Sequence, residues 1–205
     1  MKFIAQPITR RKALALAGAA ALGVGWPWRA VAAESSSQRL IGQPAKEWRV
    51  ENWQNSKAFS LAELRGKVVL VRWWTAPSCS YCAATAPALN EFHETYLDRG
   101  LVVIGFYHHK SPSPLRPEDV KARAGKFGFK FPVATDPKWQ TLKQWWFDGA
   151  DRDFTSVSFL LGRDGRIRRI HPGGEYVKGD ADYAEMKRKI EQLLAEPPPA
   201  RPANP

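Results

Sequence analysis

Apolar and polar residues alternate along the chain in runs that predict strands and helices. The apolar runs 67–74 and 101–107 are rich in valine, which is typical of parallel strands buried on both faces. Between these runs, apolar residues recur every three or four positions over 83–99 and predict a helix that ends at Gly100. A strand, a helix and a strand in this order predict a βαβ unit with parallel strands and a right-handed crossover.

The remaining pattern predicts further helices and a β-hairpin around the turn Gly162-Arg163-Asp164-Gly165. The predicted elements are a helical turn over 60–64, a helix over 117–126, a short edge strand over 131–134, a tryptophan-rich helix over 138–147, hairpin strands over 156–161 and 166–171, and an amphipathic helix over 181–194. The order is therefore a βαβ unit, an inserted helical segment and a ββα unit. This order predicts an α/β fold with three layers, α/β/α.

The first 32 residues have the pattern of a secretory signal peptide. Basic residues in the first twelve positions precede an uncharged run over 13–28, and the small residues Ala30 and Ala32 fit a signal-peptidase site. The segment 9–14 resembles a twin-arginine export signal, and an ordinary Sec signal with adjacent arginines is the alternative. Either signal predicts export to the periplasm, with no membrane span left after cleavage.

The rest of the chain has the length of a single domain. Removal of residues 1–32 from the 205-residue chain leaves 173 residues, which we divide into a flexible leader over 33–40, a domain over 41–196 and a disordered proline-rich tail over 197–205. The net charge of +11 falls to +6, because the signal holds five of the 31 basic residues and no acidic one. We therefore predict no nucleic-acid partner.

The chain contains two cysteines, Cys79 and Cys82, which follow the first predicted strand directly. A structural disulfide gains little from so short a loop, because the stabilisation grows with the number of residues enclosed. Cys79 lies just before a predicted helix, where unpaired N–H groups and the helix dipole favour a negative sulfur. A thiolate is the nucleophile of disulfide exchange, so the position and spacing of the two cysteines predict a redox-active Cys79–Cys82 disulfide.

This arrangement resembles the thioredoxin fold and, more narrowly, the exported TlpA-like thiol–disulfide oxidoreductases. The residues that carry the resemblance are Ile41-Gly42-Gln43-Pro44, Phe59-Ser60-Leu61, Leu64-Arg65-Gly66-Lys67, Trp73-Trp74, the Cys79–Cys82 pair, Pro87, Phe131-Pro132-Val133, Asp136, Phe159-Leu160 and Asp164-Gly165. The resemblance implies a protein disulfide reductase that acts on protein partners, needs no cofactor and draws electrons from a membrane protein.

Cys79 is then expected to attack a partner and Cys82 to resolve the mixed disulfide. The resemblance also places a substrate groove beside the pair. The groove residues are Trp74, Tyr81, Thr155, Ser156 and Val157.

Two features depart from the family pattern. Ser156 replaces a proline whose peptide bond is cis in the family, and the positions of a buried carboxylate that accepts protons hold Arg72 and Thr85. His171 ends one predicted strand and His108 follows another, and both are expected at the same sheet edge as the cysteines. They are therefore candidate proton shuttles near neutral pH, and surface histidines in loops are the alternative.

The missing proline leaves a second function open. In the thioredoxin family that proline is thought to keep metal ions off the sulfurs. Cys79, Cys82, His171 and His108 together offer the ligand types that bind Cu(I) or Zn²⁺, so a metal-binding protein or metallochaperone is the alternative to an oxidoreductase.

Overall fold

The computed structural model describes residues 37–76, 78–148 and 150–199. The predicted signal peptide and most of the proline-rich tail lie outside the described residues, so their assignments stay predictions. Residues 37–40 form a helical turn in which the Leu40 amide donates to the Ser37 carbonyl at 3.0 Å.

The described chain forms six strands and three longer helices. They are β1 (Glu51–Gln54), β2 (Val68–Trp74), α1 (Ser80–Tyr96), β3 (Leu101–Tyr107), α2 (Pro117–Lys126), β4 (Val133–Thr135), β5 (Ser158–Leu161), β6 (Ile167–His171) and α3 (Ala181–Ala195). A one-turn 3-10 helix at Ala62–Leu64 precedes β2, at the predicted helical turn. The predicted order of elements is confirmed, and the fold is thioredoxin-like.

The strands form one mixed sheet in the order β1-β4-β3-β2-β5-β6. The βαβ prediction is confirmed, because β2 and β3 are parallel neighbours, with Trp74 opposite Tyr107 at their carboxyl ends. The hairpin prediction is also confirmed, since β5 pairs antiparallel with β2 on one side and with β6 on the other. One end of the sheet therefore brings together the carboxyl end of β2, the start of β5 and the end of β6. We call this end of the strands the site edge of the sheet.

The prediction that residues 131–134 form an edge strand is wrong. β4 lies inside the sheet, because β1 pairs with it antiparallel and takes the edge position. The sequence pattern did not predict β1, because the strand is irregular. Asn52 has a positive φ of 52°, and the pairing register shifts within the strand. An irregular strand of four residues has no clean alternation of apolar and polar positions.

The tryptophan-rich helix is irregular. Pro137–Trp139 forms a 3-10 turn, Gln140–Leu142 a short α-helical turn and Lys143–Phe147 a π-helical turn. Lys138 and Trp139 have positive φ values, which break the regular hydrogen-bond ladder at the start of the segment. The helical prediction over 138–147 is thus confirmed in position but not in regularity.

Alternate residues of β2 serve two separate cores, as the pleat of a strand requires. Leu70 and Trp74 pack in the core under α1, α2 and α3, whereas Val71 and Trp73 pack in the core under the tryptophan-rich segment. Arg72 lies between Leu70 and Trp74 on the α1 side and is buried. Within the described part of the chain, none of the helices is long and apolar enough to cross a membrane.

Candidate active site

Cys79 and Cys82 form a disulfide at the start of α1, with their Cα atoms 5.3 Å apart. Cys79 is the N-cap residue and is half-buried, whereas Cys82 lies in the first turn and is 2% exposed. The two sulfurs therefore differ in access. The Cys79 side of the disulfide is accessible to solvent, and the body of the protein covers Cys82.

The local backbone explains why the helix begins here. Cys79 has an extended conformation (φ −77°, ψ 106°), and its carbonyl accepts from the Cys82 and Ala83 amides at 3.1 and 3.0 Å. The Cys82 amide also donates to the Cys79 Sγ at 3.3 Å. The first turn of α1 contains no acidic side chain. Both its amides and its dipole are therefore available to a negative charge on the Cys79 sulfur.

A row of cross-strand neighbours lies beneath the pair. Arg72 on β2 is opposite Ser158 on β5, and Ser158 is opposite His171 on β6, so all three side chains project from the same face. The Arg72 guanidinium donates to the Ser158 hydroxyl at 3.3 Å, the Thr85 hydroxyl at 3.4 Å and the Gly174 carbonyl at 2.7 Å. Its Nε has no hydrogen-bond partner among the described residues.

Arg72 is a buried cation held by neutral groups. The side chain is 1% exposed, and its guanidinium carbon lies 5.5 Å from the centre of the Tyr176 ring. Burial lowers the pKa of Arg72 to about 10, and the Tyr176 hydroxyl opposes this shift. Arginine therefore stays charged at neutral pH even in this position.

His171 and His108 lie near this edge of the sheet, but both are buried. Burial, followed by the charges of Lys110 and Arg72, lowers the pKa of His108 to about 3. Burial and the Arg72 charge lower the pKa of His171 to about 4, although Asp182 Oδ2 is 3.5 Å from its Nε2. Both rings are therefore neutral near pH 7 in the oxidised protein. The alternative of surface histidines in loops is wrong, because both side chains are buried. The shuttle assignment stays a prediction.

The proposed groove residues separate into buried and accessible side chains. Trp74, Ser156 and Val157 are buried, and Thr155 is half-buried, whereas Tyr81 is 42% exposed. Trp74 packs edge-on against Tyr107, Phe127 and Phe129, so we remove its side chain from the accessible groove.

The backbone beside the groove is regular. No peptide bond among the described residues is cis, so the bonds before Ser156 and Val157 are trans. The Val157 carbonyl accepts from the Trp73 amide at 3.0 Å, which holds this segment against β2.

One accessible residue of the site was missed by the sequence analysis. Phe154 is 45% exposed, and its ring lies 5.9 Å from that of Tyr81, edge to face. A Cβ atom at Gly173, where φ is 144°, would overlap the Phe154 side chain, so this glycine makes room for the ring. The only sequence signal was an aromatic residue within the polar stretch 151–156. We call Tyr81 and Phe154 the aromatic rim.

The ligands of the alternative metal site do not form a cluster. Over residues 37–76, 78–148 and 150–199, no group of three or more His, Cys, Asp or Glu side chains is arranged to hold a metal ion. Cys79 and Cys82 are bonded to each other, and His171 faces Asp182. The side chains present do not fit a Cu(I) or Zn²⁺ centre in this state.

A thioredoxin-like fold with a Cys-x-x-Cys disulfide at the start of its first long helix defines the class of thiol–disulfide oxidoreductases. A model of the Redoxin family matches residues 40–188 of this chain. The chain belongs to the Redoxin family, and the predicted resemblance to TlpA-like oxidoreductases of the thioredoxin superfamily is confirmed.

Named relatives agree with this class. Thiol-disulfide oxidoreductase YkuV of Bacillus subtilis is 23% identical over 157 residues, which are 76% of this chain and 97% of YkuV. The crystal structure of a thiol-disulfide isomerase from Corynebacterium glutamicum has a TM-score of 0.60 and 29% identity, and the match covers 75% of this chain and 97% of that one.

Protein DipZ of Mycobacterium bovis is 29% identical over 153 residues, which are 73% of this chain and 20% of DipZ. This chain therefore spans about one fifth of the length of DipZ.

Proposed function

We propose that this protein is an exported thiol–disulfide oxidoreductase that exchanges disulfides with partner proteins through Cys79 and Cys82. The observation that carries the proposal is the unequal access to the two sulfurs, with Cys79 half-buried and Cys82 2% exposed at the first turn of α1. A partner approaches only the first sulfur, so Cys79 attacks and Cys82 resolves. The Cys79–Cys82 disulfide is the redox-active group, and no bound cofactor takes part.

The partner is a protein segment that lies across the aromatic rim. Tyr81 and Phe154 offer exposed ring faces beside the disulfide, and Thr155 extends the same surface. Aromatic side chains give large contact areas at a small entropic cost, which suits transient binding of varied partners. An extended partner segment runs beside the 154–156 backbone, as in strand addition.

Two further parts of the proposal rest on the sequence. The signal-like pattern of residues 1–32 supports export to the periplasm, by the twin-arginine route. The resemblance supports the reductive direction, in which a membrane protein restores the dithiol after each cycle. A midpoint potential near or below about −250 mV would support a reductant, and one near about −120 mV an oxidant.

The experiment that tests the exchange mechanism is trapping of the mixed disulfide. A Cys82→Ser variant retains the attacking thiol and lacks the resolving one, so we expect it to accumulate covalent complexes with partner proteins that dithiothreitol releases. A Cys79→Ser variant is the matched control and should trap none. Trapping by Cys79→Ser instead would reverse the two roles, and no complexes with either variant would refute exchange with protein partners.

The same trap tests the rim. In the Cys82→Ser background, a Phe154→Ser change removes half of the rim at a side chain that is itself 45% exposed. We expect a several-fold lower yield of mixed disulfide and an unchanged rate of reaction with a small thiol reagent. If Phe154→Ser lowers the reaction with the small thiol reagent as much as the yield of mixed disulfide, the change acts on the Cys79 thiol and not on partner binding.

A further inference from the structure

Arg72 is a buried cation without a counter-charge. Its three hydrogen-bond acceptors are two hydroxyl groups and a carbonyl, all neutral. No carboxylate within the described part of the chain lies within ion-pair distance of its guanidinium. Buried charges in proteins are normally paired, because desolvation without a partner is costly. The disulfide-bonded protein therefore carries an electrostatic cost at this position.

This charge lies beside the first turns of α1. Arg72 Nη2 is 3.4 Å from the Thr85 hydroxyl, and Thr85 follows Cys82 by three residues on the same helix. Residues three apart share a helix face and have Cβ atoms about 5–6 Å apart. Thr85 and Cys82 are both buried on this face, so the guanidinium contacts the helix one turn along from the residue that carries the covered sulfur.

The groups around Arg72 supply no anion of their own. The titratable or charged side chains that face it or its neighbours are Tyr176, His108, His171, Asp182, Arg169 and Lys110. Burial raises the pKa of Tyr176, so its hydroxyl stays protonated at neutral pH. Asp182 is the one carboxylate of this set, and its largely exposed side chain faces His171 and Arg169. The only buried group here that becomes an anion during disulfide exchange is the cysteine pair itself.

We propose that Arg72 supplies the counter-charge for the thiolate that Cys82 carries when the disulfide opens, and that it thereby raises the midpoint reduction potential of the pair. The inference rests on the proposed exchange function and concerns its energetics. Arg72 is a positioning residue in this scheme, since it neither forms nor breaks a bond.

The chemical step makes the role explicit. A partner thiolate attacks the Cys79 sulfur and forms a new disulfide bond with it, while the Cys79–Cys82 bond breaks. The electron pair of that bond leaves on the Cys82 sulfur, which becomes a thiolate beside Arg72. A second partner thiol then displaces Cys79, so the partner loses two electrons and this protein gains two. A stabilised leaving thiolate accelerates the first step and stabilises the reduced protein.

The first test measures the thiol of Cys82 directly. In the Cys79→Ser variant of the full chain, Cys82 is the only cysteine, and its ultraviolet thiolate absorbance is titrated between about pH 5 and pH 10. Burial among apolar groups alone would raise the pKa of a thiol above its usual ~8.5. We expect a value below that, and a rise of at least tenfold in the proton affinity of Cys82 when Arg72→Met is added.

Two matched variants separate charge from structure. Arg72→Lys keeps a cation and should keep most of the effect. Arg99→Met removes an exposed cation near the opposite end of α1, where it packs on Tyr96, and should change nothing at Cys82. A Cys82 thiol that titrates at or above its usual pKa while Arg72 is present would overturn the inference, and this outcome needs no folded Arg72→Met protein. An Arg72→Met variant that folds but leaves the titration unchanged would overturn it too.

The second test measures the potential of the pair in the chain with both cysteines. At a pH above the Cys82 pKa of both chains, where this sulfur is a thiolate, Arg72→Met should shift the equilibrium with glutathione at least tenfold toward the disulfide. This is a fall of about 30 mV in the midpoint of the two-electron couple. If the transition is reversible and Arg72→Met leaves its midpoint potential unchanged, the inference is overturned and the exchange function still holds. The absence of any reversible transition in the wild-type protein would instead refute the exchange function.

Discussion

His108 makes the stability of the oxidised protein depend on pH. The ring is buried on all sides at the end of β3, both of its nitrogens lack hydrogen-bond partners among the described residues, and Trp139 packs on it edge-on. Burial and the charges of Lys110 and Arg72 lower its pKa from 6.5 to about 3. The folded protein thus binds fewer protons than the unfolded chain below pH 6.5, so stability is complete above that value and declines as the pH falls.

The size of the loss at pH 5 does not depend on the folded pKa. At that pH the folded ring is still neutral, and the unfolded ring lies about 1.5 pH units below its own pKa. At 1.36 kcal/mol per unit, the loss is about 2 kcal/mol. His171, whose pKa is lowered to about 4, adds a similar amount. The two histidines together cost about 4 kcal/mol between about pH 7.5 and pH 5, a large part of the stability of a typical domain.

The assay is urea unfolding of the oxidised protein at the two pH values, for the wild type and for His108→Phe. Phenylalanine retains the ring and cannot bind a proton, so the loss on acidification should shrink by about 2 kcal/mol. Val103→Ala, a packing change on the same strand β3, should lower the free energy of unfolding equally at both pH values. If His108→Phe loses as much stability on acidification as the wild type, the ring is not buried as a neutral group and the reasoning fails.

Two further predictions concern the cores beside the site. Trp73→Phe removes the indole donor that lies 2.9 Å from the buried Asp136 carboxylate and should cost about 1.5–3 kcal/mol in urea unfolding. Trp145→Phe, whose indole nitrogen has no partner among the described residues, should cost clearly less, and equal losses would contradict the proposed bond. Gly105→Ala places a methyl group 2.9 Å from the indole nitrogen of a β2 tryptophan and should cost about 1–3 kcal/mol. Gly125→Ala in α2 meets nothing within 4 Å and should stabilise the protein instead, so a similar loss at both glycines would refute the packing argument.

The order of strands and helices could be predicted because long elements carry a strong period. The valine-rich runs of β2 and β3, the periodic helix α1 and the hairpin around Gly165 all fall where the pattern placed them. The short strand β1 could not be predicted, since a bulged edge strand of four residues has no clear alternation and owes its conformation to pairing with β4. Local pattern thus decides the elements that are long and regular, and tertiary pairing decides the short ones.

The site divides in the same way. The positions of Cys79 and Cys82 at a strand-to-helix junction followed from the sequence, because N-capping and helix polarity are local properties of a few consecutive residues. The state of the histidines did not follow. Their sheet edge could be predicted, but a pKa depends on burial and on charges from other strands. Burial in the folded protein, aided by the Arg72 charge, is what makes both rings neutral.

The sequence by itself therefore determined the family, the fold and the identity of the reactive pair. The tertiary structure decided which groups surround that pair. It placed Phe154 beside Tyr81 through the gap left at Gly173, and it set an uncompensated positive charge beneath α1. The reason is physical: hydrogen bonds within a helix and the alternation of a strand are fixed by neighbours along the chain. Electrostatic energies and surface contacts depend instead on residues that are close in space but distant in sequence, and the local sequence pattern does not identify those residues.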